Sequence, residues 1–288
     1  MPGSVTVSAL DAGYLTLPSK FFIAPLSPND ETLRRTVPSL SFIIQHVNSY
    51  DNKMTRIVFD LGIRRNLNDY SLPIYKHAMT RQPYPESRAP HLHRDYIGMP
   101  GGYSDSTFVI GPGAGKLISE NSDLKNGSHS HFEKGLLDTS RTIELRHPAV
   151  SDLDRNIESL DPRTQGHTRS LFSTPWAPLG PFPATIDLFG DRSLFIDDGS
   201  HIYLAGDACH DLRLLSGEKE IATWSDPNFP GVTYCIHSDK GAAERTLEWI
   251  RESKGGKTVL GDVAVIFAHD EGWAERAKEE GRFWPGSL

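Results

Sequence analysis

His91-Leu92-His93-Arg94-Asp95-Tyr96 sets two imidazoles two residues apart and a carboxylate two further on. On a tight turn, alternate side chains point the same way, so His91, His93 and Asp95 converge on one point. Imidazole with carboxylate suits zinc or another first-row divalent metal. Three ligands do not close a site, so the rest of the chain has to supply more. Two later segments have the right chemistry: Ala205-Gly206-Asp207-Ala208-Cys209-His210-Asp211, and Ala268-His269-Asp270 after an apolar run.

The segments on either side predict how such ligands would be carried. Upstream, 5–10 reads as a first strand, broken by Asp11-Ala12-Gly13. Residues 39–47 and 55–61 read as two more strands, and the polar link 48–53 makes them a hairpin. The second ends in Asp60-Leu61-Gly62, a carboxylate at a strand end before a turn glycine. Pro83, Pro85 and Pro90 keep 82–90 out of any helix or central strand, so the His91 stretch is entered from coil.

Downstream, 106–110 and 142–145 read as strands, and 184–189 with 193–196 as a hairpin around Gly190-Asp191. Residues 201–204 form a strand ending in Ala205-Gly206-Asp207, where small residues let the backbone approach closely. The best helix is 238–253, with Ala243, Leu247 and Ile250 on one face and Ser238 or Asp239 as its cap. A buried strand over 259–268 then delivers His269 at its end. With no repeat or linker in view, 1–288 reads as one domain.

Together these blocks resemble the metallo-β-lactamase superfamily, and most closely its fungal lactonase-like and lactamase-like members, which include openers of benzoxazolinone-type γ-lactams. The resemblance is carried by 58–65 (VFDLGIRR), 91–113, 182–196, 203–222 (YLAGDACHDLRLLSGEKEIA) and 268–270 (AHD). It implies an α+β fold, an αββα sandwich with a metal site at one edge. It implies up to two zinc ions, the first held by His91 and His93, the second by Asp95 and His269, with Asp207 bridging. The implied activity is hydrolysis of a cyclic ester or amide, a small-molecule lactone or lactam. A metal-activated hydroxide would attack the ring carbonyl, and Asp95 would orient it or shuttle a proton to the leaving group.

The sequence departs from the family pattern at this site. Tyr96 stands where the last histidine of HxHxDH belongs, and a phenol with a pKa of about 10 is a weaker ligand than imidazole. The family's later metal histidine has no counterpart in Asp197-Asp198-Gly199-Ser200-His201. A partly degraded metal site is the expectation, with a non-catalytic relative of the same fold as the alternative. His201 and His210 are possible substitutes; His201 reads mainly as a strand start, and His210 as a supporting neighbour of Asp207.

Several other features read as structure. Gly111-Pro112-Gly113-Ala114-Gly115-Lys116 fails the P-loop pattern, with Ile110 where glycine and Leu117 where Ser or Thr is required. His129 and His131 lie in a polar loop. Cys209 reads as a small buried residue, Asp60 as a turn and Arg64 as a structural ion pair. The net charge of -7 argues against general affinity for nucleic acid or anionic membrane. No apolar run approaches the roughly 20 residues that span a bilayer. With two cysteines and no secretory pattern at Met1-Pro2-Gly3-Ser4-Val5, a cytoplasmic location is expected.

Overall fold

The computed structural model describes residues 3–64, 67–70, 72, 75, 98–120, 135–147, 176–189, 191, 201–225, 230–231, 233–237, 239–254 and 263–288. In chain order the strands are β1 (Ser4–Pro18), β2 (Ile23–Ala24), β3 (Arg34–Val47), β4 (Met54–Phe59), β5 (Phe108–Ile110), β6 (Thr142–Glu144), β7 (Ala177–Leu179), β8 (Phe182–Thr185), β9 (His201–Gly206), β10 (Glu220–Ile221), β11 (Thr223–Ser225), β12 (Thr233–Cys235) and β13 (Val263–Phe267). The helices are α1 (Pro28–Thr32), α2 (Ala114–Glu120), α3 (Leu212–Ser216), α4 (Lys240–Lys254) and α5 (Glu271–Glu279). The chain is mixed, with sheets and few helices, and agrees with the α+β expectation at that coarse level.

β1, β3 and β4 form an antiparallel sheet in the order β1-β3-β4. The β3–β4 hairpin forms as its polar link predicts, closed by Asn48 N donating to Lys53 O at 3.0 Å, with Asn52 at φ 55°. The break expected at Asp11-Ala12-Gly13 is instead a bulge within one long strand, the register slipping between Asp11 and Tyr14. Gly13 takes a φ of 109° there, which glycine adopts at no steric cost. The turn after β4 presses on this bulge. Gly62 has φ 70°, and a Cβ on it would lie 2.2 Å from Ala12 Cβ. Glycine is required there for both reasons. The outer edge of β1 is covered by the C-terminal segment: Trp284 N donates to Ala9 O at 2.9 Å and Leu288 N to Val7 O at 2.8 Å.

β9 and β13 pair in parallel. Alternate residues of β13 face different neighbours, as the two-residue strand period dictates. Val263, Val265 and Phe267 join Leu15, Leu17, Val37, Leu247 and Ile250 in one core cluster, while Ile266 packs with Ala9, Leu40, Phe42 and Ala274 in another. Each large apolar side chain fully buried here is worth about 1.5–3 kcal/mol. α4 contributes the Leu247 and Ile250 face that its spacing predicts, and Asp239 Oδ1 accepts from Ala242 N at 2.8 Å as its cap.

β8 pairs with β7, the strand before it, and the 193–196 half of the expected hairpin lies outside the described residues. The segment after Phe182-Pro183-Ala184-Thr185 leaves the strand before Phe189. The glycine turn after β5 continues into α2, and Gly113 N donates to Glu144 Oε1 at 2.6 Å. A carboxylate thus lies where an anion would have to dock, which agrees with the failed P-loop spacing.

Candidate metal centre at two strand ends

Parallel pairing explains how residues 62 positions apart meet. Phe267 is registered with Gly206, and Ala268 N donates to Gly206 O at 3.0 Å. The next residues out from the two strands, Asp207 and His269, therefore leave the sheet side by side. Ligand sites favour this edge of parallel strands, where the chain turns away from the ladder. Gly206 has φ 49°, so the backbone turns sharply before Asp207. Asp60, at φ 62°, lies against this same turn, its Oδ2 3.8 Å from where a Gly206 Cβ would stand.

His269 Nε2 lies 2.8 Å from Asp207 Oδ1, and His210 Nε2 lies 3.0 Å from the same oxygen. Both imidazoles are fully covered, while the Asp207 side chain stays 23% exposed. His210 leaves the turn between β9 and α3. Its ring packs against Phe22, at 4.7 Å between centroids, and against His269, at 5.4 Å with 30° between the planes. Burial alone would raise the Asp207 carboxyl. The charges of His210 and His269 and their hydrogen bonds outweigh it and hold the group well below the usual carboxylate range.

His269 is oriented from behind. Its Nδ1 lies 2.7 Å from Pro38 O, on β3. A carbonyl can only accept, so Nδ1 carries the proton. A neutral ring would then turn the bare lone pair of Nε2 toward a carboxylate oxygen. That contact is attractive only if Nε2 carries a second proton or a cation lies between the two atoms. A histidine fixed through Nδ1 by a backbone carbonyl is the usual supporting arrangement for a metal ligand. The donor set also fits such an ion: one carboxylate oxygen and two imidazole nitrogens, all within 4.8 Å of one another.

The turn carrying Asp207 and His210 is anchored by an ion network. Asp211 caps α3 by accepting from Arg213 N at 3.0 Å. Its carboxylate also meets Arg213 Nη2 at 2.9 Å and Arg35 Nη1 at 3.2 Å. Arg213 reaches on to Asp30 at 2.8 Å, and Lys219 meets Asp30 at 3.1 Å. Asp30 closes the capping box of α1, with Ser27 Oγ donating to it at 2.8 Å. Hydrogen bonds from Arg213, Ser27 and Lys219 hold the Asp30 carboxyl far below its ordinary range.

Of the residues expected to hold metal, the structure brings Asp207 and His269 together and adds His210. His91, His93, Asp95 and Tyr96 lie outside the described residues, as do Pro83, Pro85 and Pro90. His201 is placed away from this cluster. It starts β9, and Asp207 follows the other end of that strand, about 20 Å of extended chain away. His210 was expected to support Asp207 as a neighbour; its nitrogen instead stands with the other two donors. The signal available in the sequence was the spacing of Asp207 and His210 across a tight turn. Nothing local could show that both nitrogens reach one oxygen.

Cys209 is 1% exposed, its thiol donates to Asp211 O at 3.1 Å, and burial pushes it up to about 12, so it is no nucleophile. Arg64 is buried, but its guanidinium donates to backbone carbonyls, to Gly98 O at 2.8 Å and to Asp69 O, and lies 5.1 Å over the Tyr70 ring. These contacts hold the turn after β4 to Gly98. No protein-family model matches this chain, and no curated protein matches it. Among the described residues no helix is long and apolar enough to cross a membrane.

Proposed function

We propose that the chain is a metal-dependent hydrolase that opens a lactone or lactam ring, built on a metallo-β-lactamase-like αββα sandwich. The observation that carries this reading is the His269 geometry: a proton fixed on Nδ1 by Pro38 O and Nε2 aimed at Asp207 Oδ1. The parallel β9–β13 pair, with candidate ligands at its strand ends, and the neighbouring β1-β3-β4 sheet support that reading.

Asp207, His210 and His269 would hold the ion, with His91, His93 and Asp95 as the further ligands that the sequence resemblance implies. Zinc, when bound, supplies Lewis acidity toward a ring carbonyl and lowers the pKa of a water. The chain's own residues do the rest. Pro38 O fixes the tautomer of His269. Phe22 and His269 hold the plane of His210. The buried imidazoles keep water from one side of the donor set, while Asp207 stays partly open to solvent.

A second reading is favoured by one observation: His210 Nε2 and His269 Nε2 both already lie within 3.0 Å of Asp207 Oδ1. An imidazolium at His269 would make a self-contained lock in a non-catalytic relative. Metal analysis of protein purified without chelator, paired with hydrolysis of a panel of lactones and lactams, separates the two. The hydrolase reading expects bound zinc, at fewer than two equivalents, and slow ring opening that Asp207→Ala abolishes. Protein that takes up no added zinc and turns over no ring would establish the lock.

A further inference from the structure

We propose that His237 is a fourth donor to the ion held by Asp207, His210 and His269, standing on the solvent side of the site. The proposal rests on reading those three residues as a metal centre.

His237 follows β12 and the buried Ile236, so it reaches the site from an element that carries none of the other donors. Its ring centroid lies 5.6 Å from that of His210, edge to face, against 5.4 Å for His269 on His210. His210 thus has two imidazoles beside it at nearly equal spacing. The two inner imidazoles are fully covered, whereas His237 is only half-buried. Its nitrogens lie outside the set already within 4.8 Å, so joining it requires a turn of the side chain, which partial exposure permits. Among the described residues three side chains converge as donors, one fewer than zinc usually takes. Imidazole matches the chemistry of a fourth, and the chain offers one next to them. A donor at the solvent side is also the one that incoming substrate can displace, while the covered donors stay in place.

The test is a zinc competition titration and a cobalt(II) absorption spectrum on the full chain, with folding followed by circular dichroism. His237→Ala removes the donor. His237→Phe removes it but keeps a ring against His210, so it guards against a packing artefact. Both variants are expected to bind zinc at least ~10-fold more weakly than the parent, the scale on which support around a metal is lost. Both should also change the visible cobalt bands. Parent-like affinity and spectrum in His237→Phe would overturn the proposal and leave the centre standing. The same holds if His91→Ala and His93→Ala weaken binding while both His237 variants do not, because the fourth donor then comes from that stretch. A parent protein that binds neither ion, or binds them equally well with Asp207→Ala, would overturn the underlying metal centre instead.

Discussion

Among the described residues, two buried histidine–carboxylate contacts have the same length but different surroundings. His46 Nε2 lies 2.8 Å from Asp191 Oδ2, just as His269 Nε2 lies 2.8 Å from Asp207 Oδ1. The imidazoles are similarly covered, at 3% and 0%, and the carboxylates similarly reachable, at 17% and 23%. Distance and burial therefore do not separate them. What differs is the other company each carboxylate keeps. Asp191 Oδ2 also accepts from Gly3 N at 3.0 Å, and the His46 ring lies flat on Phe189 at 3.7 Å. Asp207 Oδ1 meets a second imidazole instead. Among the described residues the only convergent group of metal-ligating side chains is Asp207, His210 and His269. A backbone amide makes a carboxylate into a clasp between strands; a second imidazole makes it into a donor set.

The sharpest way to break this comparison is to remove each carboxylate in turn. Asp207→Ala should abolish measurable zinc binding, since it deletes the oxygen that both inner imidazoles approach. Asp191→Ala should leave zinc stoichiometry unchanged by elemental analysis. Equal loss in both would erase the distinction. A smaller effect is expected from His46→Ala, which leaves a buried cavity and removes one of the partners of Asp191 Oδ2. It should destabilise the fold by about 1–3 kcal/mol in urea unfolding without touching metal content.

Acid titration sharpens the comparison from the support side. The Asp30 carboxyl lies far below its ordinary value, held by Arg213, Ser27 and Lys219. Asp211 is also lowered, its Arg213 and Arg35 contacts overcoming a burial that would raise it. A depressed folded-state pKa stabilises fully above the unfolded value of about 3.9, and that stability is lost as pH falls through the folded value. The fold should therefore lose stability below about pH 4, and Asp30→Asn should flatten that limb of the unfolding curve. An unchanged slope in Asp30→Asn would mean that the network does not couple to folding. The smallest effect is expected from Gly206→Ala. Its φ of 49° would cost an alanine about 1–2 kcal/mol, seen as a modest fall in melting temperature with Asp207 slightly displaced.

The legible parts of the sequence were those decided by neighbours. The β3–β4 hairpin followed from two β-branched runs with Asn48-Ser49-Tyr50-Asp51-Asn52-Lys53 between them. The face of α4 followed from the spacing of Leu247 and Ile250. Asp207 and His269 were legible as strand-end residues. α5 was not foreseen, although Asp270 caps it by accepting from Trp273 N at 2.8 Å. An aspartate beside a candidate ligand drew the eye to chemistry rather than capping. The continuation of β1 through Gly13 was hidden because a glycine that ends a strand and one that kinks it look alike until the partner strand is known. The inclusion of His210 was hidden for a similar reason. Only the parallel register of β9 and β13 fixes where the two strand ends lie, and register is a property of paired strands.

The covered edge of β1 has a consequence for self-association. An uncovered strand offers its amides and carbonyls to a second molecule, the usual start of edge-to-edge aggregation. Here Ala9 gives its amide to Arg282 O at 3.2 Å and its carbonyl to Trp284 N, and Val7 O is taken by Leu288 N. Residues 282–288 thus act as a stopper for the longest of the described strands. Anything that loosens them, a fused tag or a clipped end, would turn a solubility feature into an adhesive one without altering a single residue of the metal centre.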